Sequence, residues 1–426
     1  MISRIAQLFI IAPMFILCFT LIPGTSGAAQ LDPASPGGVK VKPGVEALFS
    51  DHAELEHIKG KKVGLITNPT GVDHLFNSTI DLLHQYPECE LVALFGPEHG
   101  IRGDFFGGAK VADAVDKNTG VQIYSLYGTG RRAPSKDILE KLDVLIYDIQ
   151  DIGIRPYTFI NTMINCMKAA KEAGIKFIVL DRPDPFGGNN IDGPVLEPGF
   201  ESGIGIWTIP YVYGLTPGEL ATMYNVEEKL AADLHVVKMR GWKRGMTYDE
   251  TGLPWVPPST HICRWDTSIY CAITGGMGEL HTVNEGVGYT LPFEIAGAPF
   301  IDGTKLVKEL RSRNLPGVMF RPISYEVFYY KWEDKKCSGA HIYLRDPKKV
   351  KAFQTGLHIM DAINRLYPDE NIFDAGNRVG MFNKAMGTDK IRQMLMEKKP
   401  LEEIINSYQP RLNEYKKTRA KYLMYE

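Results

Sequence analysis

Between residues 62 and 239 the apolar positions come in short unbroken runs, separated by polar stretches with a helical repeat. Lys62-Val-Gly-Leu-Ile-Thr67 is the first run, ended by Asn68-Pro69. Leu91 to Phe95, Val121 to Leu126, Val144 to Tyr147, Phe177 to Leu180 and His235 to Met239 follow. Ser78 to His84 and Tyr157 to Ala173 carry the helical pattern, the second stopped by Gly174. Thr216-Pro-Gly-Glu219 opens another helix, running to about Leu230, with a hydroxyl cap, proline at the first helical position and glutamate one turn in. Strands apolar throughout and alternating with helices predict an α/β fold, a parallel sheet with helices on both faces.

From about Glu279 the rhythm changes. Strands are expected near Val318 to Ile323 and His341 to Leu344, a helix near Val350 to Leu366, and a helix-rich tail from Asp389 to Met424. This reads as a second, smaller C-terminal α/β domain. The Gly- and Pro-rich stretch from Asp184 to Gly214 reads as long loops walling a cleft. At the other end, Arg4 precedes an apolar run from Ile5 to Ile22, and Ser26-Gly-Ala28 has the form of a cleavage site. Residues 1–28 are therefore read as an export signal, 29–43 as a flexible lead-in, 44–275 as the catalytic domain and 276–426 as the auxiliary one. The expected location is periplasmic or extracellular, with no membrane contact after cleavage.

Composition narrows the partners. Of 426 residues 23% are charged, and the net charge of −2 comes without a basic block, so a nucleic-acid partner is not expected. Five cysteines remain after the signal, too sparse for a disulfide framework. Gly128-Thr-Gly130 is no dinucleotide fingerprint, no Gly-x-Ser-x-Gly elbow occurs, and no His-Glu-x-x-His appears; no cofactor is expected.

Chemistry in such sheets gathers where strands end at their carboxyl edge. Those ends carry Asn68, Glu98 with His99, Tyr127, Asp148 with Gln150, and Asp181 with Arg182. Glu98 lies in Gly96-Pro-Glu-His-Gly100 with Arg102 close behind, and Phe105 and Phe106 are placed to desolvate it into a general acid. As a bland alternative, the same turn is a polar surface loop. In Asp148-Ile-Gln-Asp-Ile-Gly-Ile-Arg-Pro-Tyr157, Asp148 and Gln150 point one way, while Asp151 either starts the following helix or joins the site. Arg155 either pairs with a neighbouring carboxylate or binds an acidic substrate group, and Asp181–Arg182 is either a local salt bridge or a binding pair. Glu98, His99, Asp148 and Asp181 could also surround a metal ion, the reading of a metal-dependent hydrolase.

An ordered set of motifs adds a resemblance. Val63-Gly-Leu-Ile-Thr-Asn-Pro-Thr-Gly71, the Gly96–Gly100 motif with Arg102-Gly-Asp104, Tyr124-Ser-Leu-Tyr-Gly128, Asp148-Ile-Gln-Asp-Ile-Gly153, Val179-Leu-Asp-Arg-Pro183, Gly193-Pro-Val-Leu-Glu-Pro198 and Pro292-Phe-Glu-Ile-Ala-Gly-Ala-Pro299 together resemble the NamZ-type exo-β-N-acetylmuramidases, from about Gly44 to Tyr425. The resemblance implies a Rossmann-like catalytic domain, an auxiliary C-terminal domain, and release of N-acetylmuramic acid from non-reducing ends of peptidoglycan fragments. It implies Glu98 as catalytic acid, and the adjacent His99 and Arg102 are expected to tune or orient it. A second carboxylate, Asp148 or Asp181, or the substrate's own acetamido group, would serve the other half of the reaction. A muramyl lactyl carboxylate would give Arg155 or Arg182 something to bind; Asn68, Tyr127 and Gln150, from their strand-end positions, and Tyr157 are the further expected substrate-binding residues.

Two stretches depart from the family pattern. Its Arg-His-Gly-Met-Thr reads Val212-Tyr-Gly-Leu-Thr216 here, and its Glu-Gly-Thr-Asn and Ser-Glu-Gly-Arg-Gly-Thr region reads Gly278-Glu-Leu-His281 and Asn284-Glu-Gly-Val-Gly-Tyr289, placing Glu279 and Glu285 on a reshaped wall of the sugar site. A non-catalytic binder of wall fragments is the competing class.

Overall fold

The computed structural model describes residues 38, 40–98, 100–102, 113–127, 130–376 and 378–426. The expected export signal, residues 29–37 and 39 of the lead-in, His99, Phe105 and Phe106 lie outside the described residues. In chain order the first strands are β1 (Lys62–Thr67), β2 (Glu90–Gly96), β3 (Ala114–Val115), β4 (Gln122–Ser125), β5 (Val144–Asp148) and β6 (Lys176–Leu180). Then come β7 (Asp192–Val195), β8 (Pro210–Val212) and β9 (Leu234–Val237). Among the described residues one sheet has the order β3-β4-β2-β1-β5-β6-β9, parallel except for the short edge strand β3. Winding reverses between β1 and β5, which pair with Thr67 opposite Asp148.

Alternation along each strand explains why both faces are covered. Val63, Leu65, Val144, Ile146, Ile178 and Leu180 pack into one core, against the N-terminal helix Gly44–Ser50 and Ile80. Ile66, Leu145, Tyr147, Phe177 and Val179 pack into the other, against the helix Phe159–Ala173. Because no face meets water, the strands read as continuous apolar runs.

The stretch expected to be long loops contains the antiparallel pair β7–β8. Gly193 and Pro194 hide this strand from a periodicity reading, since neither favours a sheet interior. In the C-terminal part β10 (Ile295–Ala298), β11 (Val318–Glu326) and β12 (Lys336–Leu344) form an antiparallel sheet of order β10-β12-β11. The helices Thr267–Gly278, Gly303–Ser312 and Ala352–Leu366 build a third core with it. Residues Val39–Glu426 form one compact unit. Its last helix, Leu401–Arg419, returns to the first part: Tyr415 Oη donates to Tyr213 O (2.7 Å) and Arg419 Nε to Gly214 O (2.9 Å).

The helix Pro217–Glu227 starts as its sequence requires, with a reciprocal Thr216–Glu219 capping box. Thr216 Oγ1 also donates to Asp181 Oδ2 (2.7 Å), so one hydroxyl fixes both the helix and a strand end. Thr216→Ala should therefore lower unfolding free energy by about 2 kcal/mol in a denaturant titration, whereas Thr216→Ser keeps most of it.

Candidate active site

β2 runs out at Gly96, and Pro97–Gly100 turns the chain sharply. Gly100 N donates to Pro97 O (3.0 Å), and Gly100 sits at φ 75°, a conformation that strains any other residue. The turn leaves Glu98 part-exposed at the carboxyl edge of the sheet. Thr158 Oγ1 donates to Glu98 Oε2 (3.0 Å) from the cap position of the helix Phe159–Ala173. Tyr127, just past β4, also hydrogen-bonds Glu98; burial, and then the nearby carboxylate, push its phenol up to about 12, so it stays a donor.

Tyr157 stands on another side. Burial raises its phenol well above the ordinary value, with Glu98 among the charges it feels. Its hydroxyl faces Ser259 but makes no hydrogen bond of ordinary geometry. A cavity of about 210 Å³ is lined by Tyr127 and Thr158, which both hydrogen-bond Glu98, together with Asn161, Ser202, Arg131 and Arg132. Arg131 pairs with Asp113 (2.7 Å). Arg102 is held by Asp116 (2.8 Å), which pins the turn after Glu98 to the β3–β4 connection.

The remaining strand-end residues form a separate, closed network. Asp148 is fully buried and takes Arg182 on both carboxylate oxygens, with Thr79 Oγ1 donating to Oδ2 (2.5 Å). Arg182 Nη2 also donates to Val72 O (3.0 Å). Both ions are thereby committed to each other, where Asp148 was expected as second carboxylate and Arg182 as substrate cation. Asp181 accepts from Arg182 N, Gly218 N, Thr216 Oγ1 and Tyr425 Oη, so it too is a structural carboxylate. Gln150 donates to Asp151 O and Pro183 O (2.8 and 2.7 Å), and Asn68 accepts from Thr70 N and Oγ1. A metal bound by Asp148 and Asp181 does not fit these saturated carboxylates.

Arg155, expected to pair with a carboxylate or to bind an acidic substrate group, meets backbone carbonyls instead. Wholly buried, it donates to Lys384 O (3.3 Å) and Ala385 O (3.0 Å), and burial lowers its guanidinium to about 10. It therefore ties the β5 loop to the helix Val379–Met386 and meets no solvent. Glu279 pairs with Arg378 (2.9 Å), and Glu285 pairs in the interior with Lys331 (2.7 Å). Among the described residues the group able to hold a metal is Glu54, His57 and His235, at the amino ends of the strands and away from Glu98. Thr158 was missed from sequence because nothing marks a helix-cap threonine as a carboxylate's partner.

Comparison with known proteins agrees with this architecture. Residues 63–266 match the family model described as exo-beta-N-acetylmuramidase NamZ, N-terminal, and residues 270–425 match its C-terminal counterpart. The chain is 44% identical over 406 residues to the peptidoglycan beta-N-acetylmuramidase NamZ of Bacillus subtilis (strain 168), covering 94% of this chain and 96% of that protein. Two crystal structures of DUF1343 family proteins from Bacteroides fragilis NCTC 9343 are similar. One has a TM-score of 0.86 at 41% identity, covering 91% of this chain and all of the other. The second has a TM-score of 0.72 at 28% identity, covering 91% and 99%.

Three buried carboxyls behind the site hold their protons unusually tightly. Burial raises Asp151 and Asp181 to about 6 and Asp184 to about 7. The folded protein keeps these protons where the unfolded chain has lost them, so their contribution is complete below about pH 4 and disappears as pH rises through the folded values. Relative to wild type, Asp184→Asn should gain about 2 kcal/mol of stability between about pH 5 and pH 8. Paired denaturant titrations at the two pH values check this; a pH-independent difference contradicts it.

Proposed function

The chain belongs to the NamZ family of exo-β-N-acetylmuramidases, hence is a glycosidase, and from that premise we propose that it releases N-acetylmuramic acid from non-reducing ends of peptidoglycan fragments with Glu98 as general acid. The observation that carries the assignment is the contrast between Glu98 and the other strand-end carboxylates. Asp148 and Asp181 are buried and filled by interior partners, whereas Glu98 is part-exposed at the sheet edge, held by Thr158 and Tyr127, which both line a cavity.

In this mechanism the Glu98 carboxyl gives its proton to the glycosidic oxygen as the bond to the anomeric carbon breaks. Thr158 holds Oε2, and Tyr127 donates to the carboxylate that proton transfer leaves behind. With Asp148 and Asp181 committed elsewhere, the developing positive charge falls to the substrate's own acetamido oxygen, which closes on the anomeric carbon before water reopens the ring. Arg132 lines the cavity beside the Arg131–Asp113 pair and supplies positive potential for a lactyl carboxylate. Export, supported by the apolar run and cleavage-like tail of residues 1–28, brings the enzyme to its polymer.

Glu98→Gln should cut release of aryl leaving group from a chromogenic β-N-acetylmuraminide by about 10²–10⁴-fold, with an unchanged circular dichroism spectrum and unfolding midpoint. Unchanged turnover would sink the assignment, and binding without release by the wild type would favour a non-catalytic wall-fragment binder.

A further inference from the structure

Three consecutive large aromatic residues crown the β11–β12 hairpin: Phe328, Tyr329 and Tyr330 are 59%, 49% and 48% exposed. An apolar patch left open to water usually marks a contact surface. This one is also built rather than loose. Tyr330, Trp332 and Asp334 all adopt left-handed backbone, at φ 75°, 67° and 57°. Such residues cost about 1 kcal/mol or more apiece and persist only where surrounding structure holds them. Here Trp332 Nε1 donates to Thr282 O (3.1 Å), and Phe328 N donates to Gly288 O (2.7 Å). Lys331 turns inward to Gly278 O (2.5 Å) and Glu285 (2.7 Å). Burying Lys331 while displaying its three aromatic neighbours reverses what folding alone favours.

The rings are aimed as well as exposed. Tyr329 Oη pairs with His261 Nε2 (2.7 Å), and Tyr330 Oη with His281 Nε2 (2.9 Å). Phe328 packs against Tyr289, with ring centres 5.7 Å apart. His261 lies two residues beyond Ser259, which faces Tyr157 beside Glu98. The hairpin tip is therefore tied to the loop bearing Ser259, whose neighbour Tyr157 feels the charge of Glu98. Flat, oriented aromatic faces suit the apolar C–H face of a pyranose ring, whose hydroxyls remain at its edge.

We propose that Phe328, Tyr329 and Tyr330 form a stacking subsite for the sugar on the leaving-group side of the bond that Glu98 protonates. The proposal rests on the muramidase reading and adds the part of the substrate that reading leaves unplaced. It makes the C-terminal hairpin a determinant of preference for a saccharide over a small leaving group.

The test uses the purified full chain and a triple variant, Phe328→Ala, Tyr329→Ala and Tyr330→Ala. KM is measured for β-N-acetylmuramyl-(1→4)-N-acetylglucosamine, and Ki for free N-acetylmuramic acid as product inhibitor. The expected result is a KM raised about tenfold or more, with Ki changed less than about twofold, since only the disaccharide reaches the hairpin. A second variant, Tyr329→Phe with Tyr330→Phe, keeps the stacking faces but not the contacts that aim them, and its KM should lie between wild type and the triple variant. An unchanged KM in the triple variant overturns the subsite. KM and Ki rising together overturn it too, by showing a general disturbance. A wild type that releases no N-acetylmuramic acid removes the muramidase reading itself, and the subsite with it.

Discussion

The ion pair between Asp148 and Arg182 occupies the place where a doubly wound sheet ordinarily receives its ligand. Winding reverses between β1 and β5, and the crevice at their carboxyl ends is the usual binding position. Here Thr67 Oγ1 closes that crevice onto Asp148 O (2.9 Å), and the Asp148 carboxylate is filled by Arg182 and Thr79. Arg182 reaches on to Val72 O, so one buried pair joins the ends of β5 and β6 to the start of the helix Thr79–Gln85. Such a pair adds little net stability over apolar packing, but removing one partner costs about 3–5 kcal/mol. Its effect is to fix one arrangement of the whole edge.

With the switch point filled, the proposed reactive position lies to one side of it. β2 lies next to β1, and its turn carries Glu98 beyond the ion pair to where Tyr127 and Thr158 can hold it. The opposite flank is sealed by the end of the chain. Tyr425 donates to Asp181 (2.5 Å), Met424 N donates to Glu219 (2.7 Å), and Glu219 is also paired with Arg244. The C-terminal part thus does two things: it closes the β6 side of the edge and contributes the aromatic hairpin beyond the loop bearing Ser259 and His261.

The sheet was legible because burial on both faces leaves an uninterrupted apolar signature, and β1, β5 and β6 fall where the runs fall. Caps were legible for a similar reason: Thr216 and Glu219 act within one turn, as does Gly174 at φ 69°. The strand β7 was not, since Gly193 and Pro194 deny it a strand's composition. For the site, the sequence brought the ionisable residues to one edge but could not sort them. Asp148 and Arg182 are separated by 34 positions, Asp181 and Tyr425 by 244, and only the fold reveals which carboxylates are already taken. Arg155 illustrates the same limit, because its partners are backbone carbonyls 229 and 230 residues away, which have no side-chain signature at all.

The central claim is that the buried pair is structure and Glu98 is chemistry. A crystal structure of the Glu98→Gln variant with uncleaved β-N-acetylmuramyl-(1→4)-N-acetylglucosamine tests it most directly. The account predicts the glycosidic oxygen within about 3 Å of the substituted carboxamide, with the Asp148–Arg182 pair intact and untouched by sugar. A disaccharide whose lactyl carboxylate displaces Asp148 from Arg182, leaving position 98 without contact, would contradict it.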